Sequence, residues 1–245
     1  MENLPAVQVQ AVSKRFRIVH HAGSLKRAAI ELVRRRPSVE RMTALDDVSF
    51  DIARGETVGI IGSNGSGKST MLMLLAGIYR PSEGQIIVRG RITTLLDLYA
   101  GMHPDLTAAD NAILVAMTNG LSRRQAIERL PAILEFAELL EVADQRIRHF
   151  SAGMVVRLGF SVAAWCDPEV LLVDEVLAVG DQAFQTKCRH KVAEFQREGR
   201  TIIFVSHDLA AVEASCQRVI WLDRSRLRLD GPATEVLAAY AASTP

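Results

Sequence analysis

A chain of 245 residues with 29 Lys and Arg against 28 Asp and Glu has room for one large domain, or one domain with a smaller insert. Its near-neutral balance argues against nucleic acid as the main partner. The wholly apolar runs are short, as at Ile113 to Met117 and Val170 to Val173, far from the roughly 20 residues of a membrane span, so a chain soluble by itself is expected.

The start "MENLPAVQVQ" lacks a charged n-region and an apolar signal core, so no export is expected. "AVQVQAV" alternates as a first strand, and "SLKRAAIELVRRRPS" reads as a short helix with a basic far side, closed by Pro37. "VSFDI" is a strand turned by Arg54-Gly55-Glu56, "TVGIIG" a buried strand, "STMLMLLAGIY" a helix and "GQIIVRG" an edge strand between glycines. From about Thr107 the texture is helical, through "TAADNAILVAMTNG", "SRRQAIERLPAILEFAELLE" and the helix opening at "SAGMVVRLGF". Strand character returns in "EVLLVDE" and, after another helix, in "RTIIFVSHD"; "RVIWLDRSRLRLDG" resembles a hairpin and a short helix runs from Thr234 to Tyr240. The expected fold is α/β: a mostly parallel sheet covered on both faces, an antiparallel β portion and an inserted helical subdomain. The boundaries expected are one domain over 1–245, with a core at 1–96 and 166–245 and a helical subdomain at about 97–165. Cys166, Cys188 and Cys216, odd in number and far apart, read as reduced thiols of a cytoplasmic protein.

"GSNGSGKST" fits G-x-x-x-x-G-K-[ST] between a strand and a helix. Gly62, Ser63, Asn64, Gly65, Ser66 and Gly67 would curl backbone N–H groups around a polyphosphate, and the helix that follows adds its positive end. Lys68 would reach the β and γ phosphates, Ser69 would ligate Mg²⁺, and Thr70 completes the motif; an ordinary glycine-rich turn is the alternative. Mg²⁺ wants a second hard oxygen, and "VLLVDE" delivers Asp174 at the end of a buried strand. Glu175, next to it, is placed to polarise an attacking water as general base. "IIFVSHD" repeats the geometry with His207, a candidate contact to the γ-phosphate.

With these residues in place the chain resembles the ATP-binding-cassette family, a P-loop NTPase family whose signature helix begins with a small Ser-x-Gly element. Ser151 and Gly153 match that element, with Ala152 and Met154 beside them. The resemblance implies that two copies pair head to tail, each signature covering the nucleotide held by the other copy's phosphate loop. A small, uncrowded helix end is what such an approach to a γ-phosphate requires. The Ser-Ala-Gly-Met form and "DEVLAVGDQAFQTKC" resemble the bacterial polysaccharide exporters, and there Asp181 falls in the loop that crosses between subunits. "LLDLYAGMHPDLTAADN" resembles a stretch usually written Leu-Glu-Leu-Gly-x-Gly-Phe, from which Asp97, Tyr99 and Met102 depart. It lacks the glutamine that many relatives place there to sense Mg²⁺, for which Asp97 is the substitute metal ligand. Phe16 falls where relatives stack an aromatic on adenine, with a core Phe as the alternative.

The insert between Phe16 and Val48 carries Lys26, Arg27, Arg34, Arg35 and Arg36, a cluster suited to anionic lipid or a lipid-linked pyrophosphate, or else a solvated helix face. The resemblance implies the ATPase subunit of a polysaccharide exporter for lipid-linked O-antigen, with capsule, teichoic-acid and galactan as alternative cargoes. Its cofactors would be ATP and Mg²⁺, and its partners a second copy and a separate transmembrane permease dimer, with the glycan engaged indirectly and no nucleic acid. It would sit at the cytoplasmic face of the inner membrane, and the stop soon after Tyr240 leaves no room for a carbohydrate-binding domain. A soluble cassette ATPase, a P-loop kinase and a purely structural nucleotide-binding module are the competing classes; ATP turnover separates out the last.

Overall fold

The computed structural model describes residues 4–19, 39–96, 98–174, 180–206 and 208–243. The expected helix at 24–38, with its five basic residues, and the candidate residues Asp97, Glu175 and His207 lie outside the described residues.

The described strands are β1 (Val7–Val19), β2 (Val39–Ile52), β3 (Thr57–Ile61), β4 (Glu83–Val88), β5 (Ile92–Thr94), β6 (Val170–Val173), β7 (Thr201–Val205), β8 (Arg218–Asp223) and β9 (Arg226–Pro232). The α-helices among them are α1 (Lys68–Leu75), α2 (Ala108–Thr118), α3 (Arg123–Ala137), α4 (Ala152–Trp165), α5 (Gln182–Arg197), α6 (Leu209–Ser215) and α7 (Ala233–Ser243). They make an α/β fold with two sheets. One has the order β5-β6-β7-β3-β8-β9, parallel from β5 to β8 with β9 antiparallel; the other is antiparallel, in the order β2-β1-β4.

The parallel strands are apolar because both faces are covered. Leu172, Ile203, Ile60 and Ile220 point into one core, shared with α1 and the antiparallel sheet. Leu171, Val173, Phe204 and Trp221 point into the other, covered by α4 to α7, with Trp221 against Tyr240 of α7. Alternate residues of one strand thus serve opposite layers, the period-2 geometry of a pleated chain. A third cluster packs Ala112, Ala126, Ile133 and Leu158, which makes α2, α3 and one face of α4 a helical layer. α4 joins the layers, giving Leu158 and Val162 to the helical cluster and Val156 and Phe160 to the sheet.

Five elements differ from the sequence expectation. β1 and β2 run well past the alternating stretches, because bulges at Ala11 (φ 49°) and Asp47 (φ 51°) interrupt the alternation. The helix expected through Tyr79 stops at Leu75. Gly77, at φ +72°, turns the chain so that the Ile78 and Tyr79 amides donate back to the Met73 carbonyl. β5 and α6 were not expected at all; β5 is three residues held by parallel pairing to β6.

Candidate functional site

β6, β7 and β3 lie side by side and end together, with Val173 level with Phe204 and Gly59. That register puts the chain leaving β3 and Asp174 at the same carboxyl edge, where ligands bind in open α/β sheets. Residues 62–70 bridge β3 and α1. Ser66, Gly67 and Lys68 are buried, whereas Ser63, Asn64, Gly65 and Ser69 are exposed and Thr70 is half-buried.

The loop can follow its path only with glycine at two points. A Cβ on Gly67 (φ +108°) would stand 2.5 Å from the Ala44 carbonyl oxygen, and one on Gly62 only 2.1 Å from that of Leu222. Gly65, at φ +80°, has open space around it. Lys68 is 6% exposed, and its Nζ donates to the carbonyls of Gly62 (2.7 Å) and Ser63 (3.0 Å). Nearby, Ser66 Oγ is buried without a hydrogen-bond partner, a costly arrangement that an added acceptor would relieve. α1 begins at Gly67 with no side-chain cap, so its first amides have no capping oxygen. An ammonium, an orphaned hydroxyl and an uncapped helix end round one open turn fit a polyphosphate. Ser69 and Asp174, one hydroxyl and one carboxylate, are the donor types a hydrated Mg²⁺ takes.

Phe16 projects from β1, partly exposed and edge-on to Tyr79 at 5.4 Å between ring centroids. Lys14 Nζ lies 5.0 Å and 5.2 Å from the two rings and donates to the Arg80 carbonyl at 2.9 Å. Phe16 is the aromatic that the sequence offers here; Tyr79 beside it reads in the sequence as part of a helix. The signal was Gly77, whose turn releases Tyr79 from the helix.

The Ser-Ala-Gly-Met element opens α4. The small, uncrowded end expected there does carry a polar cap: Ser151 is itself the N-cap, its Oγ accepting from the Met154 amide at 3.2 Å. Ser151 and Ala152 are exposed, and a Cβ on Gly153 would meet nothing nearer than Ser151 Oγ at 3.8 Å. Neither packing nor backbone conformation within the chain calls for glycine there.

Asp181 caps α5, accepting from the Phe184 amide at 2.9 Å, and pairs with Arg157 of α4. The Phe184 amide above all, and then the Arg157 guanidinium, hold the Asp181 carboxyl below its ordinary range. Arg157 also pairs with Glu138 at 2.6 Å, which in turn accepts from Lys187 at 2.6 Å. The Lys187 hydrogen bond is the main reason that the Glu138 carboxyl lies low. Arg157 and Glu138 carry no sequence signal, since Arg157 lies 24 residues from Asp181 and 19 from Glu138, and Glu138 lies 49 from Lys187.

A family model described as ABC transporter matches residues 45–178. The chain is 42% identical over 243 residues to the O-antigen export system ATP-binding protein RfbB of Klebsiella pneumoniae, covering 96% of this chain and 97% of that one. It is also 42% identical over 197 residues to the teichoic acids export ATP-binding protein TagH of Listeria innocua, covering 80% of this chain and 58% of that one. Among solved structures, a dimeric ATP-binding cassette in a post-hydrolysis state bound to ADP and Pi matches with a TM-score of 0.72 at 22% identity, covering 93% of this chain and 98% of that chain. This last likeness bears on the fold alone.

Proposed function

The chain belongs to the ABC transporter family, and from that premise we propose that it is the ATP-hydrolysing subunit of an exporter of lipid-linked polysaccharide, with O-antigen as the cargo. The cargo is carried over from the Klebsiella relative, matched along nearly the whole of both chains. No helix among the described residues is long and apolar enough to cross a membrane. Transport then needs a separate permease dimer, with this subunit docked at its cytoplasmic face and the glycan engaged through it.

In this reading residues 62–70 hold the triphosphate, and Lys68 turns from the loop carbonyls to its β and γ oxygens. Phe16 carries the adenine. Ser69 and Asp174 would hold Mg²⁺, with Asp97 as a further candidate ligand, and the ion, when bound, neutralises charge on the phosphate oxygens. Glu175 accepts a proton from the attacking water and His207 contacts the γ-phosphate. Ser151 to Met154 come from a second copy and close the site, and Asp181 lies at the seam. Residues 97–165 act as the unit that carries this turn, and residues 1–96 and 166–245 as the core that carries the triphosphate. Binding that favours the closed pair, ended by hydrolysis, biases the permease.

The observation that carries the reading is the turn at Ser151–Met154: exposed at Ser151 and Ala152, capped from within, and bare at Gly153 for no reason internal to the chain. A position kept small without an internal need is one that something outside approaches. Mixing subunits tests it. Gly153→Trp spoils the turn and Lys68→Ala the phosphate loop, so each variant alone is inactive, while a mixed pair keeps one whole site. A 1:1 mixture should recover about a quarter of the parent's active sites; a mixture as inactive as its components refutes closure in trans.

A further inference from the structure

The segment from Leu98 to Met102 is fastened to α4 at two points. At Gly159 the backbones touch: a Cβ there would lie 2.2 Å from the Leu98 carbonyl oxygen and 2.9 Å from Leu98 Cβ. At Ala152, the Tyr99 hydroxyl donates to the backbone carbonyl at 3.3 Å. The two points are seven residues apart, two turns and about 10 Å along one helix face. Val156 lies between them on that face, in the same buried cluster as Leu95 and Leu98. Tyr99 thus spans the distance from a fixed backbone contact to the helix's first turn, alongside Ser151 and Gly153.

The other side of this segment lines a groove of about 290 Å³ with Thr94, Leu98, Gly101, Val115, Gly159 and Ala163. The segment has little freedom at Leu98, where it is wedged against Gly159. Its reach to the exposed turn runs through the Tyr99 side chain, itself 49% exposed. An exposed hydroxyl bond of this length does little for folding, but it is placed to fix where the helix start points.

We infer that Tyr99 is a positioning residue: a strut from the backbone contact at Gly159 to the Ala152 carbonyl, setting the orientation of the Ser151–Met154 turn. The inference builds on the reading that this turn closes a partner's nucleotide site. It assigns the aiming of the turn to a side chain that touches no nucleotide.

The test compares the parent, Tyr99→Phe, and a protein with para-aminophenylalanine at position 99, which restores a donor on the same ring. In the nucleotide-free protein, amide hydrogen exchange in 98–102 and 151–156 should speed up about fivefold in the Phe variant. Exchange in α3 should not change. At saturating ATP its turnover should drop about fivefold with KM and melting temperature unchanged, and the amino analogue should restore both readouts. A Phe variant with the parent's exchange and turnover overturns the strut, as do losses that the amino analogue leaves uncorrected. A parent without ATP turnover would instead overturn the ATPase reading, and the exchange arm, which needs no nucleotide, would still decide the strut.

Discussion

Arg157 of α4 is ion-paired with Asp181, the N-cap of α5, so the helix that begins with the signature turn is tied to the helix that follows the strand-end acids. The Arg157 side chain is 20% exposed, bonds Glu138 at 2.6 Å and lies 5.4 Å from the Phe184 ring centre. A guanidinium's rigid planar fork holds two carboxylates in fixed directions, which the compact ammonium on its flexible stem does less well. Arg157→Gln should lower the melting temperature by about 2–4 °C and turnover more steeply, with Arg157→Lys in between. A Gln variant as stable and active as the parent would show the network to be idle.

Lys68 Nζ is held by the Gly62 and Ser63 carbonyls, neutral acceptors from which a phosphate can take it. Lys68→Ala should weaken ATP binding about ten- to a hundredfold, the scale of one charge-assisted bond. Titration with a fluorescent ATP analogue measures it. Unchanged affinity would mean that the ammonium only braces the loop.

Glu175→Gln separates binding from chemistry. Replacing the proposed base should cut turnover by roughly 10²–10⁴-fold while ATP affinity stays at the parent's value. The ATP-bound pair should then accumulate on a sizing column. A Gln variant that turns over like the parent removes Glu175 from the role of base.

Much of this molecule was legible in its sequence where a local rule coincides with the tertiary outcome. "VLLV" and "TIIFV" are strands buried on both faces, and "GSNGSGKST" is a loop whose glycines the backbone demands at 62 and 67. What stayed hidden depends on distant partners. β5 exists because β6 lies beside it. The far arms of β1 and β2 pair only with each other beyond β4, so Arg15 and Arg17 stay exposed, and register shifts after Val9 put the short Arg15-Phe16-Arg17-Ile18 alternation out of phase with the one before it. Tyr99 stood out only as a departure from a family pattern, and its bond to Ala152 crosses 53 residues.

The three cysteines give a pH prediction independent of ATP. Burial pushes the Cys166 thiol from 9.0 to about 11, and Cys188 and Cys216 from 9.0 to about 12. The folded chain therefore keeps protons that the unfolded chain releases above its ordinary thiol pKa. Stability from these groups is fully present below about pH 9 and is lost as pH rises toward 12. Native protein at pH 8 should resist a thiol reagent until it is unfolded, and urea midpoints should fall from pH 9 upward. Rapid native labelling would contradict the burial.

Gly153 and Gly159 lie on one helix, and the same substitution should act on them in opposite ways. Gly159→Ala drives a methyl into the Leu98 carbonyl, 2.2 Å from its Cβ, and the backbone there has to shift. A cost of about 1–3 kcal/mol is expected, seen as a lower melting temperature. At Gly153 the methyl enters open space, and alanine is the better helix former by roughly 0.5–1 kcal/mol, so Gly153→Ala should fold as well as the parent or slightly better. Its turnover should nevertheless drop about tenfold, because the methyl meets the partner's nucleotide and displaces reacting groups by a fraction of an ångström. Stability and activity thus part company at Gly153 and fall together at Gly159. Full turnover from a stable Gly153→Ala would mean that nothing approaches this helix end closely enough to need a glycine.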